Sequence, residues 1–544
     1  DVDLKDLAEP PGALLCPAAV KAVEADEGFL YSSGVDQALT SSMLGGGLAK
    51  LQQVAAAIED FKTSGKPVIA GADFLSQQGY YLAAHADEVY MHPDGLLLMQ
   101  GYGRWRTFYK DAIDLLRIDW NVFRVGNYKS FAEPYTRMDM SPEDRESRQR
   151  LVDHLWSSYQ EHVVAARGLA EDAIDDYARN LVAHTEAAGG DLAIVARDRG
   201  LVDELLGRTE LRDVMIGHVG PDADDDTRYS AVGMSEYLSQ LALRRASKEN
   251  ADNVAVIVAA GSILDGSQPP GSIGGDSTAA LLEKALEDES IRAVVLRVDS
   301  GGGSAFASEV IAEEVRKLQA AGKPVVASMG SVAASGGYWI SMDADKIYAS
   351  PTTITGSIGI VGMFPTFQRS MAAVGVAADG VGTTPWSGQL RPDREMNDDA
   401  RQLFQIVIND GYRDFINGVA AGRDLDVDYV DKIGQGQVWS GEEAIANGLV
   451  DELGGLDAAI AGAAELAGLE HYGQKLIETE MSPTEQLLLD LLTTFARVGL
   501  DPAVFATSPT PIEQFANRFH ALVAQVAQFN DPKGVYSYCF CEIR

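Results

Sequence analysis

The chain contains two copies of one folding unit, and this repeat constrains the possible folds more than any other feature of the sequence. Residues 65–93 read GKPVIAGADFLSQQGYYLAAHADEVYMHP, and residues 322–351 read GKPVVASMGSVAASGGYWISMDADKIYASP. Tyr80 aligns with Tyr338, at an offset of 338 − 80 = 258 residues. Two copies of a unit this long predict two similar domains, each with its own core.

Local patterning predicts the class of those domains. The hexapeptide GLVDEL also occurs twice, at 200–205 and at 448–453. Each copy alternates short β-branched runs with stretches of helical apolar spacing, which is typical of βαβ layers around a largely parallel sheet. In the second copy the predicted strands are 254–258, 293–298 and 324–328, and the predicted helices are 278–286 and 308–320.

The length of 544 residues is too great for one core and leaves room for segments outside the repeat. We predict a first copy over 1–220, a linker over 221–253, a second copy over 254–470 and an extension over 471–544. The extension has helical apolar spacing and is predicted to be helical. It is expected to pack on the domains or on another subunit; a membrane-facing amphipathic helix is the alternative.

Composition limits the partners of this chain. A net charge of −36 and a pI near 4.5 argue against binding of nucleic acid or of anionic lipid by most of the molecule. Cys16, Cys539 and Cys541 are too few for a disulfide framework and lack metal-ligand spacing, so no metal or cofactor is expected. No apolar run reaches membrane-span length, and we expect an N-terminal anchor or signal before Asp1.

The two copies differ at two positions that carry chemistry. Ser335 in the second copy aligns with Gln77 in the first. Lys129 in the first copy aligns with Pro385 when Val125-Gly126 is matched to the second copy's Val-Gly pair. If the copies pack so that these half-sites meet, the chain has one complete serine/lysine hydrolytic site.

A serine hydroxyl becomes a useful nucleophile when a base removes its proton, and a buried neutral lysine can be that base. Ser335 lies in the sequence AASGG, whose small residues let a substrate backbone approach. We expect Ser335 near a helix N-terminus, with the Gly336 amide directed at a developing oxyanion. The glycines at 301–303 follow a predicted strand and are expected to supply a second donor.

Histidine is the obvious competing base, and the sequence argues against it. No histidine occurs between Ser335 and His471, and the chain contains no HExxH motif. His85 and His92 lie in the first copy, near Gln77, where there is no nucleophile. We interpret both as packing or surface residues.

At these positions the chain resembles a known family. The segments AASGGYW at 333–339, TGSIGI at 355–360 and FRVGNYKSFAEP at 123–134 are similar to those of signal peptide peptidase A, or protease IV, in its long tandem form. The resemblance implies tandem crotonase-like, Clp-type α/β domains assembled as a homotetramer. It also implies an anchor in the bacterial inner membrane, a periplasmic active site, no cofactor, and hydrolysis of signal peptides left in the membrane.

The resemblance also assigns roles to individual residues. It makes Ser335 the nucleophile, Lys129 the general base and Ser357 the residue that orients the lysine amine. Gly336 and Gly302 correspond to the oxyanion-hole glycines. Gly301 replaces a proline of the family pattern, so this turn is less preorganised and the role of Gly302 is less secure.

Two other classes of function share this fold. Acyl-CoA hydratases and isomerases use backbone oxyanion holes with acidic residues and need no serine/lysine pair. A scaffold without catalytic activity is the second alternative. Labelling of Ser335 by a fluorophosphonate distinguishes the protease from both.

Overall fold

The computed structural model describes part of the chain, namely residues 47–223, 225–231, 252–269, 271–384, 386–389, 391–478, 531 and 535–539. The helical pattern predicted between residues 482 and 530 lies outside the described residues. So do most of the predicted linker, Pro385, and the cysteines at 16 and 541. None of the helices within the described ranges is long and apolar enough to span a membrane.

The first copy alternates strands and helices, as its sequence predicts. Its elements in chain order are α1 (Leu48–Lys62), β1 (Ile69–Ala72), β2 (Leu75–Ser76), α2 (Gln77–Ala83), β3 (Glu88–Met91), β4 (Leu97–Leu98), α3 (Lys110–Leu115), β5 (Asp119–Val125), α4 (Glu133–Thr136), α5 (Pro142–Arg167), α6 (Ala173–Arg179), α7 (Leu181–Ala187), α8 (Leu192–Asp198), β6 (Glu204–Leu205) and α9 (Arg208–Val219).

The second copy repeats this order and contains more strands. Its elements, followed by the described part of the C-terminal segment, are β7 (Asn253–Ala260), β8 (Ile263–Leu264), β9 (Ile273–Gly274), α10 (Gly275–Glu287), β10 (Ile291–Ser300), β11 (Gly302–Ser304), α11 (Ala305–Ala320), β12 (Val325–Ala334), α12 (Gly336–Trp339), β13 (Lys346–Ala349), β14 (Ile354–Gly356), β15 (Ile360–Thr366), α13 (Gln368–Ala373), α14 (Asp398–Arg423), α15 (Val427–Ile433), β16 (Val438–Ser440), α16 (Gly441–Ala446), β17 (Glu452–Leu453), α17 (Leu456–Leu466), β18 (Gly473–Leu476) and β19 (Tyr536–Tyr538).

The strand pairings show the duplication directly. In the first copy β1, β3 and β6 form a three-stranded parallel sheet, and β2 pairs in parallel with β4. In the second copy β12, β13 and β17 pair in the same order, and the end of β12 pairs in parallel with β14. Helices α5 and α14 occupy equivalent places and each has 26 residues. The prediction of tandem α/β domains is therefore confirmed.

The second copy has an eight-stranded sheet at its centre. Its strand order is β16-β14-β12-β10-β7-β18, with β13 on β12 and β17 on β13. Strand β10 is buried along nearly its whole length because helices cover both faces of the sheet, as its continuous apolar run indicates. The predicted strands and helices of this copy are all present, and β12 continues from the predicted end at Ser328 to Ala334.

The predicted end of β12 at Ser328 is too early, because polar residues interrupt the apolar run of the strand. The buried hydroxyl of Ser328 accepts a hydrogen bond from Arg297 Nη1 at 2.9 Å. The hydroxyl of Ser331 accepts one from the Gly47 amide at 2.9 Å. These partners satisfy the polar groups, so most of the strand is buried up to its end at Ala334.

Part of the predicted extension belongs to the sheets. Strand β18 pairs in parallel with β7 at the edge of the second copy's sheet. Strand β19 pairs antiparallel with both β11 and β15. The described residues of the extension therefore include two strands, and the residues from 473 to 476 complete the second domain.

Strand β5 joins the two copies. It pairs antiparallel with β15 over seven residues, from Asp119 opposite Thr366 to Val125 opposite Ile360. Phe123 of the first copy is buried in the core of the second, where its ring stacks on Phe404 at 5.4 Å between centroids. The loop that follows β5 carries Lys129, so this pairing determines where the lysine lies.

We predict that Phe123→Ala lowers the free energy of unfolding by about 3 to 5 kcal/mol, because the ring is only 6% exposed and its removal leaves a cavity between the copies. The measurement is the midpoint of urea unfolding. Leu115→Ala is the control: that side chain is 83% exposed and its loss should change the free energy of unfolding by less than about 0.5 kcal/mol. Equal midpoints for the two variants would contradict this account of the interface.

Candidate active site

The proposed nucleophile lies at a strained turn between a strand and a helix. Ser335 follows β12, precedes α12 and has φ 60° and ψ −116°, a backbone conformation that side-chain-bearing residues rarely adopt. The strain is held by hydrogen bonds: the Ser335 amide donates to the Gly356 carbonyl at 2.7 Å, and the Trp339 amide donates to the Ser335 carbonyl at 2.9 Å. Such strain is typical of functional sites. The predicted position at a helix start is confirmed.

The lysine loop of the first copy rests on a glycine-containing turn of the second. The Tyr128 amide donates to the Gln435 carbonyl at 2.9 Å. A methyl group placed on Gly436 would lie 2.7 Å from the Lys129 amide nitrogen, and one on Gly359 would lie 3.2 Å from Lys129 Cδ. The two backbones approach this closely only because glycine has no side chain.

The two half-sites meet within one chain. Lys129 Nζ lies 2.6 Å from Ser335 Oγ, although 206 residues separate them in sequence. It also lies 3.0 Å from the Ser357 carbonyl oxygen and 3.2 Å from Ser357 Oγ. All three residues are buried, with at most 2% exposure.

This contact set matches a neutral amine. An uncharged lysine has two N–H donors and one lone pair. The donors can serve the Ser357 carbonyl and Ser357 Oγ, and the lone pair can then accept the proton of Ser335 Oγ. Ser357, whose φ is 52°, is itself held by its amide, which donates to the Gln437 carbonyl at 2.6 Å.

Burial prepares the lysine for this state. Desolvation lowers the pKa of Lys129 well below 10.5, because the charged ammonium loses its hydration, and the nearby Arg148 guanidinium lowers it further. Glu133, the carboxylate nearest in sequence, is turned away and accepts a hydrogen bond from the Ser141 amide at 3.1 Å. It begins the short helix α4.

A buried charged cluster supports the lysine loop. Ser130 Oγ donates to Asp144 Oδ1 at 2.7 Å, and Arg148 Nε lies 3.2 Å from the same oxygen. Arg106 Nη1 donates to the Ser130 carbonyl at 3.1 Å and lies 3.6 Å from Asp144 Oδ2. The sequence did not predict this cluster, because the spacing of four between Asp144 and Arg148 on helix α5 resembles an ordinary surface ion pair.

The two predicted oxyanion glycines lie beside the nucleophile and touch each other. A methyl group on Gly302, whose φ is 97°, would lie 2.5 Å from the Gly336 amide nitrogen. The Gly302 amide itself donates to Ser300 Oγ at 3.0 Å. Both roles stay predictions, and the Ser300 contact means that Gly302 would have to change partner to serve an oxyanion.

The equivalent position in the first copy has a structural role. Gln77 begins helix α2, and its Oε1 accepts hydrogen bonds from the Gly101 amide at 2.8 Å and the Gln100 amide at 3.0 Å. His85 packs against Glu59, with Nδ1 2.9 Å from Oε1, and burial lowers the pKa of its imidazole. These contacts fit the interpretation of Gln77 and His85 as packing residues.

Comparison with known proteins places the chain in a family context. A profile of the family described as Peptidase family S49 matches residues 60–220 and 317–470. The chain is 39% identical to "Protease 4" of Salmonella typhi over 489 residues, which are 90% of this chain and 78% of that one. It is 38% identical to "Protease 4" of Haemophilus influenzae over 499 residues, 91% of this chain and 80% of the other.

Shorter and more distant matches were also found. A "Putative signal peptide peptidase SppA" of Enterococcus faecium is 32% identical over 173 residues, 32% of this chain and 50% of that one. A solved structure of a ClpP1 mutant from Listeria monocytogenes matches with 13% identity and a TM-score of 0.26, covering 38% of this chain and 94% of the other.

We predict that Gly436→Ala lowers kcat/KM about 100-fold, because the added methyl displaces the Lys129 backbone by a distance on the order of 1 Å. Gly468→Ala is a matched control: Gly468 has a similar positive φ of 68° and nothing within 4 Å of an added methyl. Both variants carry a backbone cost of about 1 to 2 kcal/mol, and the clash adds to this cost in Gly436→Ala, so kcat/KM is compared at a temperature at which both proteins are folded. Equal activity in both would contradict the proposed docking of the lysine loop.

The lowered pKa of Lys129 predicts a pH dependence. The neutral amine is the active form, so kcat/KM should rise with pH as Lys129 loses its proton, and the rise should be complete well below 10.5. The measurement is a pH–rate profile on a short fluorogenic peptide. A rise centred at the value of an exposed lysine would contradict the burial argument.

Proposed function

Because the chain belongs to peptidase family S49 and is a serine protease, we propose that Ser335 is its nucleophile and Lys129 its general base. The 2.6 Å contact between Lys129 Nζ and Ser335 Oγ carries this proposal. Burial and the positive charge of Arg148 both lower the pKa of Lys129, which favours the neutral amine that a general base requires. The acyl-CoA hydratase alternative is wrong for a member of this family.

In the first half of the reaction, Lys129 accepts the Ser335 hydroxyl proton as Oγ attacks the carbonyl carbon of the peptide bond. The negative charge that develops on the carbonyl oxygen is stabilised by the Gly336 amide, with Gly302 as the second donor. The Lys129 ammonium then gives its proton to the leaving amine, and an acyl-enzyme remains on Ser335.

In the second half, the neutral Lys129 takes a proton from water, and the hydroxide attacks the acyl carbonyl. Collapse of this intermediate releases the carboxylic acid product, and the ammonium returns its proton to Ser335 Oγ. Ser357 stabilises the transient ammonium, since its carbonyl and hydroxyl lie 3.0 and 3.2 Å from Nζ. It thereby keeps the amine directed at Ser335 in both halves.

We further propose that the substrates are signal peptides left in the bacterial inner membrane, cleaved on its periplasmic side. The similarity to the signal peptide peptidase of Enterococcus faecium supports this substrate class. The enzyme would act as a homotetramer held at the membrane by an N-terminal anchor. Release of labelled fragments from a signal peptide in detergent micelles is the test, and a protein that cleaves a folded soluble protein equally well would not fit this substrate class.

We predict that Ser335→Ala and Lys129→Ala each lower kcat/KM by about three orders of magnitude or more, because each removes one half of a unit that acts together. Ser357→Ala should cost less than either, since the Ser357 carbonyl remains. Lys110→Ala, which removes a lysine paired with Asp114 on α3, is the control and should leave kcat/KM unchanged.

Fluorophosphonate labelling gives a second readout. The wild type should be labelled at Ser335, and Lys129→Ala should be labelled far more slowly, because the serine then has no base. A folded Ser335→Ala or Lys129→Ala protein that keeps more than about a tenth of the wild-type kcat/KM would rule out the dyad. That threshold corresponds to a loss of about 1.4 kcal/mol of transition-state stabilisation.

A further inference from the structure

A segment near the C-terminus lies in the groove beside the nucleophile. Strand β19 runs antiparallel to β11, with Ser537 opposite Gly303. On its other side it pairs antiparallel with β15, with Tyr536 opposite Val361. The pairing with β11 continues past the strand ends, since the Cys539 amide donates to the Gly301 carbonyl at 2.7 Å.

The middle residue of this strand contacts the catalytic machinery. Ser537 Oγ lies 2.7 Å from Ser335 Oγ, and Ser537 is fully buried. A methyl group on Gly302 would lie 2.1 Å from the Ser537 carbonyl oxygen, and one on Gly336 would lie 3.0 Å from it. The carbonyl oxygen therefore lies next to both glycines that we propose as oxyanion donors, where a substrate carbonyl would lie.

The neighbouring side chains point the other way, into an apolar pocket. Tyr536 and Tyr538 are buried against Phe131 and Val361, and the ring of Tyr538 meets that of Phe131 edge-on at 5.7 Å. The groove thus holds an extended backbone with a small side chain over Ser335 and a large apolar side chain on each side of it. This alternation is how a protein recognises a peptide by adding it as a strand.

One carboxylate anchors the segment outside the catalytic residues. Asp531 Oδ2 accepts hydrogen bonds from Ser304 Oγ at 2.6 Å and from the Phe306 amide at 3.0 Å, at the N-terminus of α11. Asp531 Oδ1 accepts one from the Val535 amide at 3.0 Å. The anchor fixes where the strand enters the groove.

We propose that residues 535–539 are an internal ligand of the substrate groove and keep the enzyme latent. This inference rests on the proposed function of Ser335 and Lys129. A substrate peptide then binds by replacing this strand, antiparallel to β11, with a small residue over Ser335 and large apolar residues on both sides. A tethered ligand competes at an effective concentration on the order of millimolar, so only peptides that bind well, or are present in quantity, displace it.

The test removes the segment from the groove in two ways. Ser537→Trp cannot fit at a fully buried position against Ser335, and Asp531→Ala removes the anchor while leaving the strand sequence intact. Both variants should label with fluorophosphonate and hydrolyse a short peptide at least about tenfold faster than wild type. Val182→Ala, an exposed position on α7, is the control and should match wild type.

A structural role for the strand predicts the opposite result. If both variants have lower melting temperatures and label no faster than wild type, the segment stabilises the sheet and is not a displaceable ligand. Equal labelling rates in wild type and in two folded variants would overturn the proposal as well.

A binding measurement separates this proposal from the proposed function. A fluorescein-labelled peptide with the sequence of residues 535–539 is titrated into Ser335→Ala protein, with and without Ser537→Trp. The peptide should bind at least about tenfold more tightly when the tethered strand has been displaced. Tighter binding, together with no hydrolysis by wild type or by the Ser537→Trp protein that keeps Ser335, would leave the groove assignment intact and refute the dyad. Equal binding would refute the groove assignment whatever the activity.

Discussion

The pairing of β5 with β15 is the interaction on which the active site depends. It carries a strand of the first copy into the second and delivers Lys129 to Ser335 across a sequence separation of 206 residues. Backbone hydrogen bonds fix the register, and a slip of one residue would turn every side chain of the strand to the opposite face. Phe123 opposes such a slip because its ring fills the core of the second copy.

In the proposed site, burial removes the hydration of the Lys129 amine. Burial makes an ammonium costly at this position and lowers the pKa of Lys129, which favours the neutral amine. Ser357 supplies hydrogen-bond acceptors without supplying full negative charge. Nearby, Asp144 is paired with Arg148, and the positive charge of Arg148 further lowers the pKa of Lys129.

Each copy holds only one of the two residues of the proposed dyad. In the first copy, Gln77 occupies the place of the nucleophile and binds the loop at Gly101. In the second copy, the strained turn at Ser335 is kept and the lysine comes from its neighbour. Because Lys129 and Ser335 belong to different copies, the geometry of the interface between the copies would control the activity of the proposed dyad, and the segment around Ser537 would regulate it there.

The sequence by itself determined the repeat, the α/β class, the strand and helix positions of the second copy, and Ser335 and Lys129 as half-sites. Hydrophobic periodicity and glycine turns can be read from a short stretch of sequence. The two half-sites can be read by aligning one copy with the other. Only the tertiary structure decided that β5 joins the second copy, that Arg148 and Asp144 support the lysine loop, and that Ser537 lies on the nucleophile. Those contacts join residues far apart in the chain, and packing selects them from many pairings that the local pattern allows equally.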